Sequence, residues 1–141
     1  VRREGTRIGF EIEDLGTRRK GWLAHVNQPH GPQVGKYRVN LRDLEEVGAK
    51  AILDAITQAD IIIIDEIGPM EMFSASFKDS VAKAINGQKT VLGTIHYRAT
   101  GPFITAIKER KDVEIIEVTL RNRNELPEAI GEEVMRMVKR S

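Results

Sequence analysis

The sequence contains no cysteine, and this absence removes several classes of function at once. Disulfide scaffolds, thiol catalysis and cysteine-ligated zinc or iron–sulfur centres are all excluded. No secretory signal peptide is recognisable either, so we expect a cytoplasmic location. The longest run of branched apolar residues spans 61–64, whereas a membrane-spanning helix takes about 20 residues, so no membrane partner is expected.

Aromatic residues and net charge are also scarce. Phe, Trp and Tyr make up 5% of the chain, and 22 basic against 21 acidic residues leave a formal net charge of +1. A surface that stacks single-stranded nucleic acid needs aromatic faces and a basic groove, so the composition argues against such a partner without excluding it. What remains is a chain of 141 residues with 40% apolar and 30% charged residues, proportions typical of one globular domain.

Residues 1–42 have the pattern of short strands. Apolar residues alternate with other residues over 7–13, which predicts a strand with one buried face. A second strand is predicted over 21–26, so the two together indicate a β-hairpin. A loop rich in proline and glycine leads to a short third strand over 37–39.

Residues 43–141 alternate between helix and strand with short connections. This order predicts an α/β core with parallel strands and right-handed crossovers. The start and stop signals are capping residues, prolines and glycines. The predicted elements are, in order, a helix capped by Asp43 with Glu46, a strand over 60–65 covered on both faces, a helix closed by Gly87, a strand over 91–96, a helix opened by Pro102, a strand over 113–118 and a helix capped by Asn124.

Two acids, Asp65 and Glu66, directly follow four consecutive isoleucines. In open α/β sheets ligands bind beyond the carboxyl ends of the strands, where these carboxylates are expected to lie. This is the form of a Walker B motif, in which Asp65 would hold Mg²⁺ and Glu66 would polarise a water for attack on a γ-phosphate. A plainer interpretation is that the acids cap the next helix, although the branched run before them favours the functional one.

A phosphate loop, the usual partner of such a strand, is not found in the 141 residues. Its pattern is Gly, four residues, then Gly-Lys-Ser/Thr, followed by a helix whose N-terminus faces the anion. Residues 31–37 have only three spacers, end in tyrosine and precede a strand. Residues 87–90 lack the upstream glycine and also enter a strand, so neither segment is a phosphate loop.

Residues 65–73, Asp-Glu-Ile-Gly-Pro-Met-Glu-Met-Phe, resemble the Walker B signature of the small P-loop nucleoside-triphosphatases, the THEP-type or cancer-related family. Three further segments agree with that family in the same order, and the resemblance covers essentially the whole chain. These segments are residues 1–10, 91–96 and 118–127. The fold implied is a P-loop NTPase of the RecA-like, additional-strand type: a three-layer α/β sandwich with a mostly parallel sheet and an N-terminal β-hairpin insertion.

The activity implied by the resemblance is Mg²⁺-dependent hydrolysis of nucleoside triphosphates, ATP and GTP among them, to diphosphate and phosphate. Members of the family carry a strand, the phosphate loop and a helix ahead of the position equivalent to Val1. We therefore expect a single domain over 1–141 that is incomplete at its N-terminus, with a hairpin region over 1–42 and an α/β core over 43–141. Without the phosphate loop this polypeptide alone is expected to be inactive, and its start at Val1 rather than Met agrees with a missing unit.

The same resemblance implies a set of site residues. Glu66 and His96 are the catalytic candidates, and Asp65 is the metal ligand. The nucleotide-binding candidates are Ile62, Ile63, Ile64, Asp65, Glu66, Ile67, Gly68, Pro69, Asn122 and Arg123.

Five polar residues have competing interpretations. His96 ends a predicted strand and could sense the γ-phosphate, although a lone histidine after a strand is more often structural. Asn122 and Arg123 occupy a loop where this fold contacts the nucleotide base, but nearby Asn124 already explains polarity by helix capping. Glu71 could orient water or metal, or cap a helix dipole. Arg98 is either an arginine finger or, as we prefer, a solvated side chain.

Two other functions stay open beside triphosphate hydrolysis. A nucleotide or nucleoside kinase would move the γ-phosphoryl group to a small acceptor, although Glu66 argues against it because a kinase must exclude water. A non-catalytic module that binds nucleic acid or protein is the second alternative, motivated by the missing phosphate loop.

Overall fold

Short strands fill the first forty residues, and helices alternate with two parallel strands thereafter. A computed structural model of the protein describes residues 1–140. The strands are β1 (Arg2–Arg3), β2 (Thr6–Arg7), β3 (Gly9–Glu13), β4 (Lys20–His25), β5 (Gln33–Val34), β6 (Tyr37–Val39), β7 (Ile61–Ile67) and β8 (Thr90–Ile95). The helices are α1 (Leu41–Asp43), α2 (Lys50–Gln58), α3 (Ala75–Asn86), α4 (Pro102–Glu109) and α5 (Leu126–Arg140), with a π-helical segment over Leu44–Ala49 and a 3₁₀ turn over Glu71–Phe73.

The N-terminal strands form an antiparallel sheet in the order β3-β4-β6-β5. Strands β3 and β4 are the pair expected to form a hairpin, and they run antiparallel with Gly9 opposite His25 and Glu13 opposite Lys20. Gly31 lies in the connection to the outer strands with φ of +120°, and a Cβ there would be 2.0 Å from the Val39 carbonyl oxygen. Only glycine fits this position, since both the backbone angle and the space exclude a side chain.

The first helical segment begins two residues before the predicted cap. Asn40 is the N-cap, and its Oδ1 accepts a hydrogen bond from the Asp43 N–H at 3.0 Å. The Asp43 carboxylate is instead used by the hairpin, because its Oδ2 accepts from the Trp22 N–H at 2.9 Å. The prediction that Asp43 caps this helix is therefore wrong, since a non-local donor on β4 takes the carboxylate.

Strands β7 and β8 are parallel, with Ile61 opposite Thr90 and Ile64 opposite Gly93. Helices α2 and α3 contact each other, and Ile62 and Ile64 belong to the buried cluster that also contains residues of both helices. On the opposite face Ile63 is 63% exposed, because none of the helices described in residues 1–140 covers it. The expectation that this strand is covered on both faces therefore fails for Ile63.

The remaining helices follow their predicted signals closely. Ser74 caps α3 with its Oγ accepting from the Phe77 N–H at 3.1 Å, and Gly87 follows the helix as expected. Pro102 opens α4, and α5 begins two residues after the predicted cap Asn124. Across residues 1–140 no helix has both the length and the apolar character that crossing a membrane requires.

The strand predicted over 113–118 is wrong: this segment has no regular secondary structure. A strand forms only where a neighbour accepts and donates its backbone hydrogen bonds. In the described residues β8 pairs with β7 along one edge alone, and a cleft of about 890 Å³ lies between β8, residues 113–116 and α5. Because the cleft separates residues 113–118 from the free edge of β8, this segment has no strand of residues 1–140 within hydrogen-bonding distance.

Candidate functional site

Asp65 and Glu66 lie near the carboxyl end of β7, where the parallel ladder to β8 is interrupted between Ile64 and Ile67. Both acids are exposed, whereas Ile64 and Ile67 on either side are buried. Ile62, Ile64 and Ile67 therefore anchor the strand in the core, and Asp65 and Glu66 at the interruption face solvent. The arrangement presents two carboxylates at the end of the sheet where α/β proteins bind ligands.

Thr94 on β8 contacts the first of these acids. Its Oγ1 donates a hydrogen bond to Asp65 Oδ1 at 3.2 Å, across 29 residues of sequence. No role for Thr94 was predicted from the sequence. The available signal was a hydroxyl near the carboxyl end of the second strand, but only the observed register shows which acid it faces.

His96 follows β8 and is held against the end of β7. Its backbone N–H donates to the Ile67 carbonyl at 2.9 Å, and its Nδ1 accepts from the Arg98 N–H at 3.0 Å. Because Nδ1 accepts, the neutral ring carries its proton on Nε2, which is then the nitrogen able to donate to a ligand. The ring stacks on Tyr97 with centroids 4.6 Å apart. The structure thus brings His96 to the acidic pair through the backbone of Ile67.

Arg98 points to a different neighbour. Its guanidinium lies over the Tyr97 ring at 5.4 Å from the centroid, and the residue is exposed. The solvated interpretation of this side chain agrees with that placement.

Glu71 is buried beneath the turn that follows the acidic pair. It is 7% exposed, and its Oε2 accepts the Gly68 N–H at 3.0 Å. Burial raises the pKa of this carboxyl above its usual value, and the nearby Glu66 carboxylate acts in the same direction. Backbone N–H groups of Glu71 and Gly68, together with His96, oppose the rise.

Gly68 lies between the two glutamates. A Cβ on it would be 3.0 Å from Glu71 Oε2, 3.3 Å from Glu66 Oε1 and 3.8 Å from the Cβ of His96. Gly68 therefore marks the point where the candidate base, the buried acid and the histidine come together.

The other predicted nucleotide contacts divide into two groups. Ile62, Ile64 and Ile67 are buried in the core, so their side chains pack against the protein rather than facing a ligand. Asn122 uses both ends of its amide on its own loop, accepting from the Thr119 N–H at 2.8 Å and donating to the Glu117 carbonyl at 2.9 Å. These hydrogen bonds hold the loop before α5 and do not join Asn122 to the acidic pair.

The site offers oxygen donors but no complete metal cage. No group of three or more His, Asp or Glu side chains suited to a metal occurs in the part of the chain that is described. The Asp65 carboxylate beside the Thr94 hydroxyl nevertheless suits Mg²⁺, which usually takes one or two carboxylates and completes its shell with water and substrate phosphates. The donor set therefore fits a magnesium ion brought in with a nucleotide.

The comparisons with known proteins agree with this geometry. A family profile described as NTPase matches residues 1–131. Nucleoside-triphosphatase THEP1 of Thermofilum pendens is 47% identical over 141 residues, which cover 99% of this chain and 78% of that protein. Nucleoside-triphosphatase THEP1 of Methanosarcina acetivorans is 44% identical over 136 residues, 96% of this chain and 75% of its own length.

A solved structure gives the same result for the fold. The crystal structure of THEP1 from the hyperthermophile Aquifex aeolicus matches with a TM-score of 0.79 and 32% identity, covering 88% of this chain and 75% of that one. The predicted P-loop NTPase fold is thereby confirmed, with β7 and β8 as part of its parallel sheet. The chain belongs to the nucleoside-triphosphatase family, and it is an NTPase.

Proposed function

We propose that Asp65 and Glu66 are the catalytic acids of a Mg²⁺-dependent hydrolysis of ATP, GTP and other nucleoside triphosphates. The observation that carries this proposal is the pair of exposed carboxylates at the interrupted end of a buried parallel strand. In this interpretation β7 is the Walker B strand of the domain.

Asp65 is the metal residue in this proposal. Its hydrogen bond from Thr94 fixes the carboxylate on the β8 side of the strand end. Such a partner orients a ligating carboxylate before the ion arrives. A bound Mg²⁺ would neutralise charge on the β- and γ-phosphates, and Asp65 would hold it directly or through water.

Glu66 acts as the general base. Its carboxylate takes a proton from water while the water oxygen bonds to the γ-phosphorus, and the bond from that phosphorus to the bridging oxygen of the diphosphate breaks. The exposed position of Glu66 gives water access to the carboxylate, and Gly68 is near both Glu66 Oε1 and the Cβ of His96, which supports this assignment.

His96 contributes a hydrogen bond to the developing charge. With Nδ1 accepting from the Arg98 N–H, the Nε2–H is available to a γ-phosphate oxygen. The hydrogen bond from the His96 N–H to the Ile67 carbonyl holds the backbone of His96 at the end of β7, which supports this role.

The triphosphate and base contacts form the remaining part of the proposal. The backbone of residues 62–69 and the loop residues Asn122 and Arg123 are the proposed contacts to the nucleotide, since the side chains of Ile62, Ile64 and Ile67 are buried. Since residues 1–141 contain no phosphate-loop pattern, we propose that the phosphate cradle is supplied by a part of the natural polypeptide outside them. The single-domain organisation, the hairpin region over 1–42 and the cytoplasmic location belong to the same proposal.

Product analysis with the natural polypeptide that contains these residues tests the reaction type. ATP labelled in the γ-phosphate is incubated with Mg²⁺, with and without candidate nucleosides and nucleotides. We expect free phosphate in both cases. Label transferred to an acceptor would instead establish a phosphotransferase.

The metal role of Asp65 has its own test. We expect Asp65→Asn to raise the Mg²⁺ concentration for half-maximal hydrolysis by about tenfold or more. The matched control is Asp79→Asn, because Asp79 is an exposed aspartate on α3. An unchanged Mg²⁺ dependence in Asp65→Asn would exclude the assigned role.

A further inference from the structure

Glu71 has a burial that its local setting does not explain. Glutamate is rarely fully buried unless it is paired, yet Glu71 is 7% exposed and forms no ion pair with a basic side chain in residues 1–140. The 3₁₀ turn that it opens is three residues long. So short a turn gives little reason to remove a carboxyl group from water.

The hydrogen bond of Glu71 is directed at the peptide group that follows Glu66 and Ile67. Its Oε2 accepts the N–H of Gly68 at 3.0 Å. The carbonyl of the same peptide group belongs to Ile67 and accepts the N–H of His96 at 2.9 Å. One peptide plane is therefore held at both ends, by Glu71 on one side and by the chain after β8 on the other.

The ladder resumes with Ile67 opposite Ile95, and this peptide group is the first one after that pair. The ladder between β7 and β8 is interrupted between Ile64 and Ile67, so the backbone of Asp65 and Glu66 is outside the regular parallel register. The orientation of Glu66 then depends on the fixed peptide that comes after it. The space at Gly68 agrees, because a Cβ there would be 3.3 Å from Glu66 Oε1 and 3.0 Å from Glu71 Oε2.

We propose that Glu71 is a positioning residue: by accepting the Gly68 N–H, it fixes the peptide after the acidic pair and so aims the Glu66 carboxylate at the attacking water. This inference rests on the proposed role of Glu66 as the base. Glu71 acts on Glu66 through the backbone of Gly68.

Two substitutions separate positioning from stability. Glu71→Gln keeps an oxygen acceptor for the Gly68 N–H at nearly the same volume. Glu71→Leu fills the same buried space with an apolar group and removes the acceptor, so the protein stays folded while the peptide loses its partner. Ser74→Ala is the matched control, because it removes the nearby cap of α3 and leaves the Gly68 hydrogen bond intact.

The experiment measures kcat and KM for ATP in the natural polypeptide, together with the thermal midpoint of each variant. We expect Glu71→Gln to keep kcat within about threefold, and Glu71→Leu to lower kcat by about tenfold or more with KM nearly unchanged. Ser74→Ala should lower the thermal midpoint and leave kcat unchanged. A Glu71→Leu protein with wild-type kcat, or a Glu71→Gln protein as impaired as Glu71→Leu, would overturn the proposal.

Two further measurements make the result independent of the proposed function. Glu66→Gln is assayed in the same series. Wild-type turnover in that variant refutes the base assignment, whereas loss of turnover there together with normal turnover in Glu71→Leu refutes only the role of Glu71.

Amide hydrogen exchange tests the positioning role without measuring catalysis. We expect Glu71→Leu to accelerate exchange at Gly68 and not at Gly87, and equal protection of Gly68 in both proteins would overturn the positioning role.

Discussion

Replacing Gly68 by alanine tests whether the geometry around the acidic pair controls the reaction. The backbone of Gly68 is outside the left-handed region, so an alanine meets no conformational strain there. Its effect comes from space alone, since the added Cβ would be 3.0 Å from Glu71 Oε2 and 3.3 Å from Glu66 Oε1. Ordinary contact begins at 3.4 Å, so each carboxylate must move by a few tenths of an ångström.

The magnitude follows from the sensitivity of catalysis to position. A misplacement of about 1 Å costs about a hundredfold in rate, so a shift of a few tenths predicts a fall in kcat of about three- to tenfold. The fall in kcat is the diagnostic result, because the displaced groups act on water and on the turn. Crowding a buried site also destabilises the fold, by about 1 kcal/mol here.

The assay compares kcat and KM of Gly68→Ala with those of Gly87→Ala in the natural polypeptide. The φ angle of Gly87 is also negative, and a Cβ there would lie 3.4 Å from the nearest backbone oxygen. Its substitution by alanine is therefore expected to leave kcat unchanged. Urea unfolding establishes that both variants are folded at the assay temperature. Wild-type kcat in folded Gly68→Ala would refute the claim that this contact region sets the position of Glu66.

Three predictions concern stability and use unfolding in urea. Gly31→Ala should lower the free energy of unfolding by about 3 kcal/mol or more, because a Cβ there would be 2.0 Å from a backbone oxygen. Gly35→Ala is the control, because its Cβ would lie in open space, and it should lower the free energy of unfolding by about 1 kcal/mol. Equal losses in the two variants would contradict the contact at Gly31. Asp43→Ala should lower the free energy of unfolding by about 1–3 kcal/mol, because the Trp22 N–H loses its acceptor. An unchanged free energy of unfolding would show that this hydrogen bond does not stabilise the fold. Because the pKa of Glu71 is raised, the native state binds this proton more tightly than the unfolded state does. The contribution of Glu71 to the free energy of unfolding should therefore fall as pH rises above about 4.5. The charged groups near Glu71 are Glu66 and His96. Glu71→Gln should flatten that slope, and identical slopes would exclude Glu71 as its source.

The parts of the fold that were predictable depend on local chemistry. Four isoleucines before two acids indicate a strand with carboxylates near its end, and the structure has that strand as β7, although Ile63 is exposed. Pro102 and Gly87 mark helix ends because their backbone preferences act within one turn. The resemblance of four separate segments to one family then predicted the P-loop NTPase fold.

The parts that were not predictable depend on partners distant in sequence. Residues 113–118 have the composition of a strand, but a strand also needs a neighbour within hydrogen-bonding distance, and in the described residues a cleft separates this segment from the unpaired edge of β8. Asp43 has the signature of a helix cap, yet the Trp22 N–H, 21 residues away, takes its carboxylate. Neither outcome is encoded in the local pattern.

The site shows the same division. The acidic pair and His96 stand out because strand ends collect functional groups. The hydrogen bond from Thr94 to Asp65 depends on the register between two strands, and the burial of Glu71 depends on how the turn after β7 folds back. Both features required the three-dimensional arrangement.

The central claim is that Glu66 activates water, and phosphate release by Glu66→Gln measures it most directly. The substitution keeps the size of the side chain and removes its ability to take a proton, so we predict a fall in kcat of about 10²–10⁴-fold with MgATP still bound. Glu45→Gln, at an exposed position in the π-helical segment, should leave kcat unchanged. Turnover by Glu66→Gln at the wild-type rate would contradict the account.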